Sequence, residues 1–216
     1  MFKKNARILF QGDSITDYGC GREPTTPANQ CLGTGHPMMI AAELLTRYPE
    51  RNLQFFNRGI SGDRVVNLYA RWKIDALNLK PDFISILIGA NDTWARYSRK
   101  DGVEVARFDT IYRMLLDWTL QELPKTRFII CEPFLAVYKG SAAKEEWWQD
   151  MRPRQKAVQK IAKDYNAIFI PFQSIFDEAC KKAPPGYWFF DGIHPLHAGY
   201  GLMTRAWLDH VEAALK

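Results

Sequence analysis

The stretch RILFQGDSITDYG, residues 7–19, holds the reading that decides the fold. Residues 7–11 are a strand-length run built on the apolar Ile8, Leu9 and Phe10, and Gly12-Asp13-Ser14 ends it with residues suited to a sharp bend. The same kind of run recurs at 53–57, 82–88, 127–131 and 167–171. Between and after these runs lie segments with apolar residues near helical spacing, at 37–48, 64–79, 103–123, 151–166 and 195–215, with a shorter helical piece at 174–180. In 64–79, for example, Val65, Leu68, Trp72 and Leu79 share a face. Five βα units in succession predict an α/β fold with a parallel sheet and helices on both sides.

The rest of the chain agrees with this frame. Its 216 residues are 47% hydrophobic and 25% charged, which is globular composition and predicts one domain over 1–216. The opening MFKKNAR is basic, but polar Gln11, Gly12 and Asp13 cut short any apolar signal region, and no apolar run nears the ~18 residues of a membrane span. Cys20, Cys31, Cys131 and Cys180 form no CxxC pair and read as reduced thiols, a Cys20–Cys31 disulfide being the alternative, so a cytoplasmic location is expected, with no membrane partner. The net charge of +5 is dispersed rather than gathered into a basic run, which argues against nucleic acid.

In open parallel sheets the functional loops lie at the carboxyl ends of the strands. Here those ends carry Gly12-Asp13-Ser14, Arg58-Gly59-Ile60-Ser61-Gly62 and Gly89-Ala90-Asn91-Asp92, and Asp191-Gly192-Ile193-His194 precedes the last helix. Ser14 at a sharp turn is a candidate nucleophile. A serine hydroxyl needs an imidazole to take its proton and a carboxylate to orient that imidazole, roles that His194 and Asp191, three residues apart, can fill. The oxyanion would then need fixed donors, for which the Ser14 and Gly62 backbone N–H groups and the Asn91 amide are candidates. Each loop alone reads as turn or capping chemistry; the conjunction of four carries the argument.

The four blocks, Gln11-Gly12-Asp13-Ser14-Ile15-Thr16-Asp17, Asn57 to Asp63, Gly89-Ala90-Asn91-Asp92 and Asp191-Gly192-Ile193-His194-Pro195, resemble in order those of the SGNH, or GDSL, hydrolases. The resemblance implies a three-layer α/β/α flavodoxin-like fold, a five-stranded parallel sheet of order 2-1-3-4-5, and ester hydrolysis without metal or other cofactor. Leu32-Gly33-Thr34-Gly35, Ala70-Arg71-Trp72 and Asn91-Asp92-Thr93-Trp94 look like segments of bacterial acetylxylan esterases and related carbohydrate deacetylases, while 131–134 and 138–149 depart from them.

From this follows the expectation of a serine esterase acting on short acyl esters of sugars. A lipase, lysophospholipase or thioesterase is the alternative substrate class. Asp13, Trp94 and Trp188 are the substrate-contact candidates, with residues 12–36, rich in Gly, Pro and Thr, offering little apolar lining for a long acyl chain. A receiver-like phosphoacceptor at Asp13 is weakened by the Asp191/His194 turn it would not use, and a purely sugar-binding module by the intact catalytic set. His36, His197 and His210 read as structural, and Asp13, Asp17, Asp63 and Asp92 as turn residues rather than metal ligands. Homo-oligomerisation and the roles of Trp147 and Trp148 stay open.

Overall fold

A computed structural model describes residues 2–23 and 30–216; residues 24–29, part of the stretch read as glycine- and proline-rich, lie outside it. Five strands, β1 (Arg7–Gly12), β2 (Gln54–Asn57), β3 (Phe83–Leu87), β4 (Arg127–Cys131) and β5 (Ile168–Ile170), form one sheet in the order β2-β1-β3-β4-β5. All four pairings are parallel, with Leu9 opposite both Phe56 and Ile84, and Ile86 opposite Ile130. The expected fold and strand order are thus observed.

Alternation along each strand fills both faces. Ile8 and Phe10 of β1, Ile129 and Cys131 of β4 and Trp207 belong to one buried cluster; Leu9, Ile84, Ile86, Phe128 and Ile130 belong to the other, with Trp72, Phe108 and Leu115. Helices α2 (His36–Arg47), α7 (Phe172–Cys180) and α9 (His197–Ala214) cover the first face; α3 (Val65–Asp75), α5 (Val105–Glu122) and α6 (Trp148–Asp164) cover the second. The buried indoles are satisfied rather than stranded: Trp72 Nε1 donates to Thr119 Oγ1 at 2.9 Å and Trp207 Nε1 to Ser85 Oγ at 3.0 Å.

Three short elements, α1 (Ser14–Asp17), α4 (Ala90–Ser98) and α8 (Pro185–Trp188), were not visible in the apolar spacing. The expected helix over 64–79 stops at Asp75 and continues as a separate 3₁₀ turn, Leu77–Leu79, because Ala76 leaves helical geometry at φ −130°. The helix expected from 151 begins three residues earlier, at Trp148, and carries Pro153 inside it. Among the described residues, no helix is long and apolar enough to cross a membrane.

Candidate active site

The first functional turn is built by close approach. A Cβ on Gly12 would run into the Leu87 carbonyl and Thr16 Oγ1, so β1 can turn into α1 this tightly against β3 only with glycine there. Asp13 then caps α1, its Oδ1 accepting from Ile15 N–H at 3.0 Å, and Ser14 takes the first helical position. At that position the Ser14 N–H has no carbonyl of its own helix to bond. Ser14 Oγ lies 2.8 Å from His194 Nε2 across 180 residues of chain.

The opposite half is local. Asp191 folds back on its own turn: Oδ1 accepts from the N–H groups of Ile193 (3.0 Å) and His194 (2.8 Å), while Oδ2 sits 2.8 Å from His194 Nδ1. The turn is tied down from outside by Ala136 N–H, which donates to the Gly192 carbonyl at 2.7 Å. The three side chains expected to act together therefore do meet, in a serine–imidazole–carboxylate line.

The remaining loops close around it. Gly62 has φ +87° with open space where a side chain would project, and it leads into Asp63, whose carbonyl accepts from Asn91 Nδ2 at 3.1 Å. Asp92, fully buried, accepts from Val65 N–H at 3.2 Å and so joins the Asn91 loop to the start of α3. Asp17 binds Ser61 through both its N–H (3.0 Å) and its hydroxyl (2.8 Å), which fastens α1 to the Gly62 loop. These acidic residues tie neighbouring loops to one another, and no cluster of potential metal ligands is found among the described residues.

Of the substrate-contact candidates, Trp94 places its ring 6.5 Å from the His194 ring. Trp147 is buried, 5.5 Å from Trp94 and 5.9 Å from Tyr97 in a stack, whereas Trp148 is partly buried against the core with the Arg152 guanidinium 5.2 Å over its ring. Trp188 is held by its own segment, Nε1 donating to the Ala183 carbonyl at 3.1 Å. Asp13, a substrate-contact candidate, is instead buried beneath the turn with only Oδ1 engaged, where the packing of β1 and α1 withdraws it from solvent. Sequence reasoning also missed the support beneath Asn91. The buried Arg154 reaches Asp150 at 2.6 Å, Thr93 Oγ1 at 3.2 Å and the Val103 carbonyl at 2.7 Å, pinning α4 to α6.

Electrostatics set the working pH. The hydrogen bond to Asp191 raises the His194 imidazole above its ordinary value, with burial opposing it. Burial works to raise the Asp191 carboxyl, but the His194 ring and the two backbone donors outweigh that and leave it lowered. Burial pushes Asp13 up to about 7, against the pull of Ile15 N–H and His194. A base must be neutral to accept a proton, so the rising limb of kcat/KM against pH is expected to have its midpoint above the ordinary ~6.5 and to level off at alkaline pH. A midpoint at or below that value in a pH–rate profile contradicts the assignment. Stability runs the other way: a raised imidazole pKa contributes stability that is whole below the ordinary value and is lost as pH rises through the folded one.

The profile of the GDSL-like lipase/acylhydrolase family matches residues 10–202, a span that takes in all four loops. The chain belongs to that family. Among its GDSL relatives is an acetylxylan esterase of Geobacillus stearothermophilus, 32% identical over 210 residues, covering 95% of this chain and 93% of that one. A structure of that acetylxylan esterase superposes with a TM-score of 0.87 at 31% identity, over 97% of this chain and 95% of that one. A GDSL-like lipase candidate from Parabacteroides merdae superposes at 0.93 with 39% identity, over 98% of both chains. A GDSL member is a carboxylic ester hydrolase.

Proposed function

We propose that this esterase removes acetyl groups from acetylated xylo-oligosaccharides or other plant-polysaccharide fragments, with Ser14 as nucleophile. The observation that carries the chemistry is the line Ser14 Oγ–His194–Asp191, with both contacts at 2.8 Å. As Ser14 Oγ attacks the acetyl carbonyl, His194 Nε2 takes its proton and Asp191 stabilises the imidazolium that forms. The carbonyl oxygen becomes an oxyanion facing the N–H groups of Ser14 and Gly62 and the free N–H of the Asn91 amide. His194 then returns the proton to the departing sugar oxygen, leaving an acetyl-serine. Water, deprotonated by the same imidazole, attacks that ester and releases acetate.

The Asn91 donor acts on charge that exists only in the transition state. Asn91→Ala is expected to lose on the order of 10²–10³ in kcat with little change in KM, measured by steady-state kinetics on p-nitrophenyl acetate. A change confined to KM would instead make Asn91 a substrate-binding residue.

The acetyl preference is supported by the likeness to the acetylxylan esterase over nearly the whole chain, and by the Trp94–Trp147 wall beside the imidazole. A longer acyl chain would gain about 0.8 kcal/mol per buried CH₂ only if a groove received it. Across p-nitrophenyl esters, kcat/KM is therefore expected to peak at acetyl and to fall beyond butyryl. Acetylated xylo-oligosaccharide should release acetate with its glycosidic bonds intact. A peak at octanoyl with no acetate from the sugar would move the substrate to lipid-like esters. The reaction is assigned to the cytoplasm, where the chain's cysteines would stay reduced.

A further inference from the structure

The proposed nucleophile and the proposed oxyanion donors come from different segments, so something must fix their separation. The Ser14 turn follows β1, the Gly62 N–H belongs to the loop after β2, and the Asn91 amide to the start of α4. One side chain touches the first two of these and reaches the third through a single intermediary. Arg71, on α3, donates through Nε to Asp63 Oδ2 at 2.8 Å, and through Nη1 to Gln11 Oε1 at 3.0 Å and to Asp75 Oδ2 at 3.1 Å; its Nη2 approaches the Gly12 carbonyl at 3.5 Å. Gln11 and Gly12 are the last residues of β1 before Asp13-Ser14, and Gln11 is itself fixed by Nε2 donating to the Asp75 carbonyl at 2.8 Å.

Asp63 is the intermediary. It follows Gly62 directly, and its carbonyl takes one of the two Asn91 amide hydrogens, leaving the other for the developing oxyanion. Its carboxylate is held by Arg71, and both side chains are largely withdrawn from solvent, at 14% and 12% exposed, so the contact is less screened than a surface pair. Two other straps run beside it without touching the Asp63 carboxylate: Ile60, whose N–H donates to the Gly12 carbonyl at 3.0 Å and whose carbonyl accepts from Asp63 N–H at 3.1 Å, and Asp17, which binds Ser61.

We propose that Arg71, acting through Asp63, is a positioning residue that holds the Gly62 and Asn91 donors at a fixed distance from the Ser14 hydroxyl. The guanidinium suits this because its donors lie in one rigid plane and can engage Asp63, Gln11 and Asp75 at once, whereas a lysine ammonium is a single point on a flexible stem. The inference rests on the reading of Ser14 as nucleophile.

The test compares wild type, Ser14→Ala, Arg71→Lys, Arg71→Ala and Asp63→Asn on p-nitrophenyl acetate, with Tm measured in parallel. Arg71→Lys and Arg71→Ala should lose kcat by up to about 10²-fold while KM moves by no more than about twofold, the pattern of misplaced transition-state donors. Guanidinium at millimolar concentration should restore part of the kcat of Arg71→Ala and none of that of Arg71→Lys. Asp63→Asn, which keeps the carbonyl that Asn91 uses, should show a smaller loss of the same kind. If Arg71→Ala does not fold, Arg71→Lys and Asp63→Asn decide the matter. A folded Arg71→Lys with wild-type kcat, or losses confined to Tm or to KM, would overturn the inference and leave the nucleophile standing. Turnover retained by Ser14→Ala would overturn the nucleophile and the inference together.

Discussion

Ser14→Ala and His194→Ala are each expected to lower kcat on p-nitrophenyl acetate by about 10⁶-fold, and the double variant by little more, because the two groups act as one unit. The alanine at 14 leaves no oxygen to carry the acetyl group. The alanine at 194 leaves a hydroxyl with no acceptor for its proton in place of the imidazole 2.8 Å away. What remains in either variant is the work of the oxyanion donors, about 10³-fold over water. A fluorophosphonate probe gives an independent reading: it should label wild type at Ser14, fail on Ser14→Ala and react very slowly with His194→Ala. Near-normal turnover or labelling by Ser14→Ala would end the serine mechanism.

Asp191→Asn is expected to cost about 10⁴-fold in kcat, the scale seen when an amide offers the imidazole a donor where it needs an acceptor and so favours the wrong tautomer. The pH dependence should shift as well. In wild type the carboxylate raises the His194 pKa against burial. With an amide in its place burial acts unopposed by that contact, and the residual activity should begin its rise at lower pH than wild type. Pre-steady-state rates across pH, measured on both proteins, separate the two effects. An unshifted profile, or a loss of less than about tenfold, would mean that Asp191 does not act through His194.

The parts of this molecule legible in sequence are those whose signal is local. Residues 7–11 and 127–131 announce strands by composition, and Asp191 and His194 sit three apart in one turn, where the structure finds them bonded. The strand order came from the family likeness rather than from periodicity, since nothing in the spacing of five runs says which lies beside which. Helix α4 was hidden because Gly89-Ala90-Asn91-Asp92 carries turn residues, and because Asp92 and Arg96 within it look solvated. Asp150 and Arg154 stayed hidden for a like reason: an i,i+4 pair of opposite charge has the pattern of an exposed helix face, yet it is buried and braces the Asn91 loop. Arg71 showed itself only as part of the family-like segment Ala70-Arg71-Trp72, for its partners at 11, 63 and 75 are gathered by topology. Charged residues inside a fold are identified by their partners, and distant partners leave no periodic trace.

The uneven spacing of the three side chains proposed to act together has a kinetic corollary for how the enzyme comes into being. Asp191 and His194 find each other by closing one turn, an event that costs little chain entropy, whereas Ser14 joins them across 180 residues. That join needs β1 seated between β2 and β3, and α9, which follows the histidine turn, packed onto α2 and β5. Such long-range closures are the slow ones in folding. During refolding, then, hydrolytic activity is expected to return no sooner than the contacts that join residue 14 to residue 194, so its recovery times the long-range closure rather than the local turn.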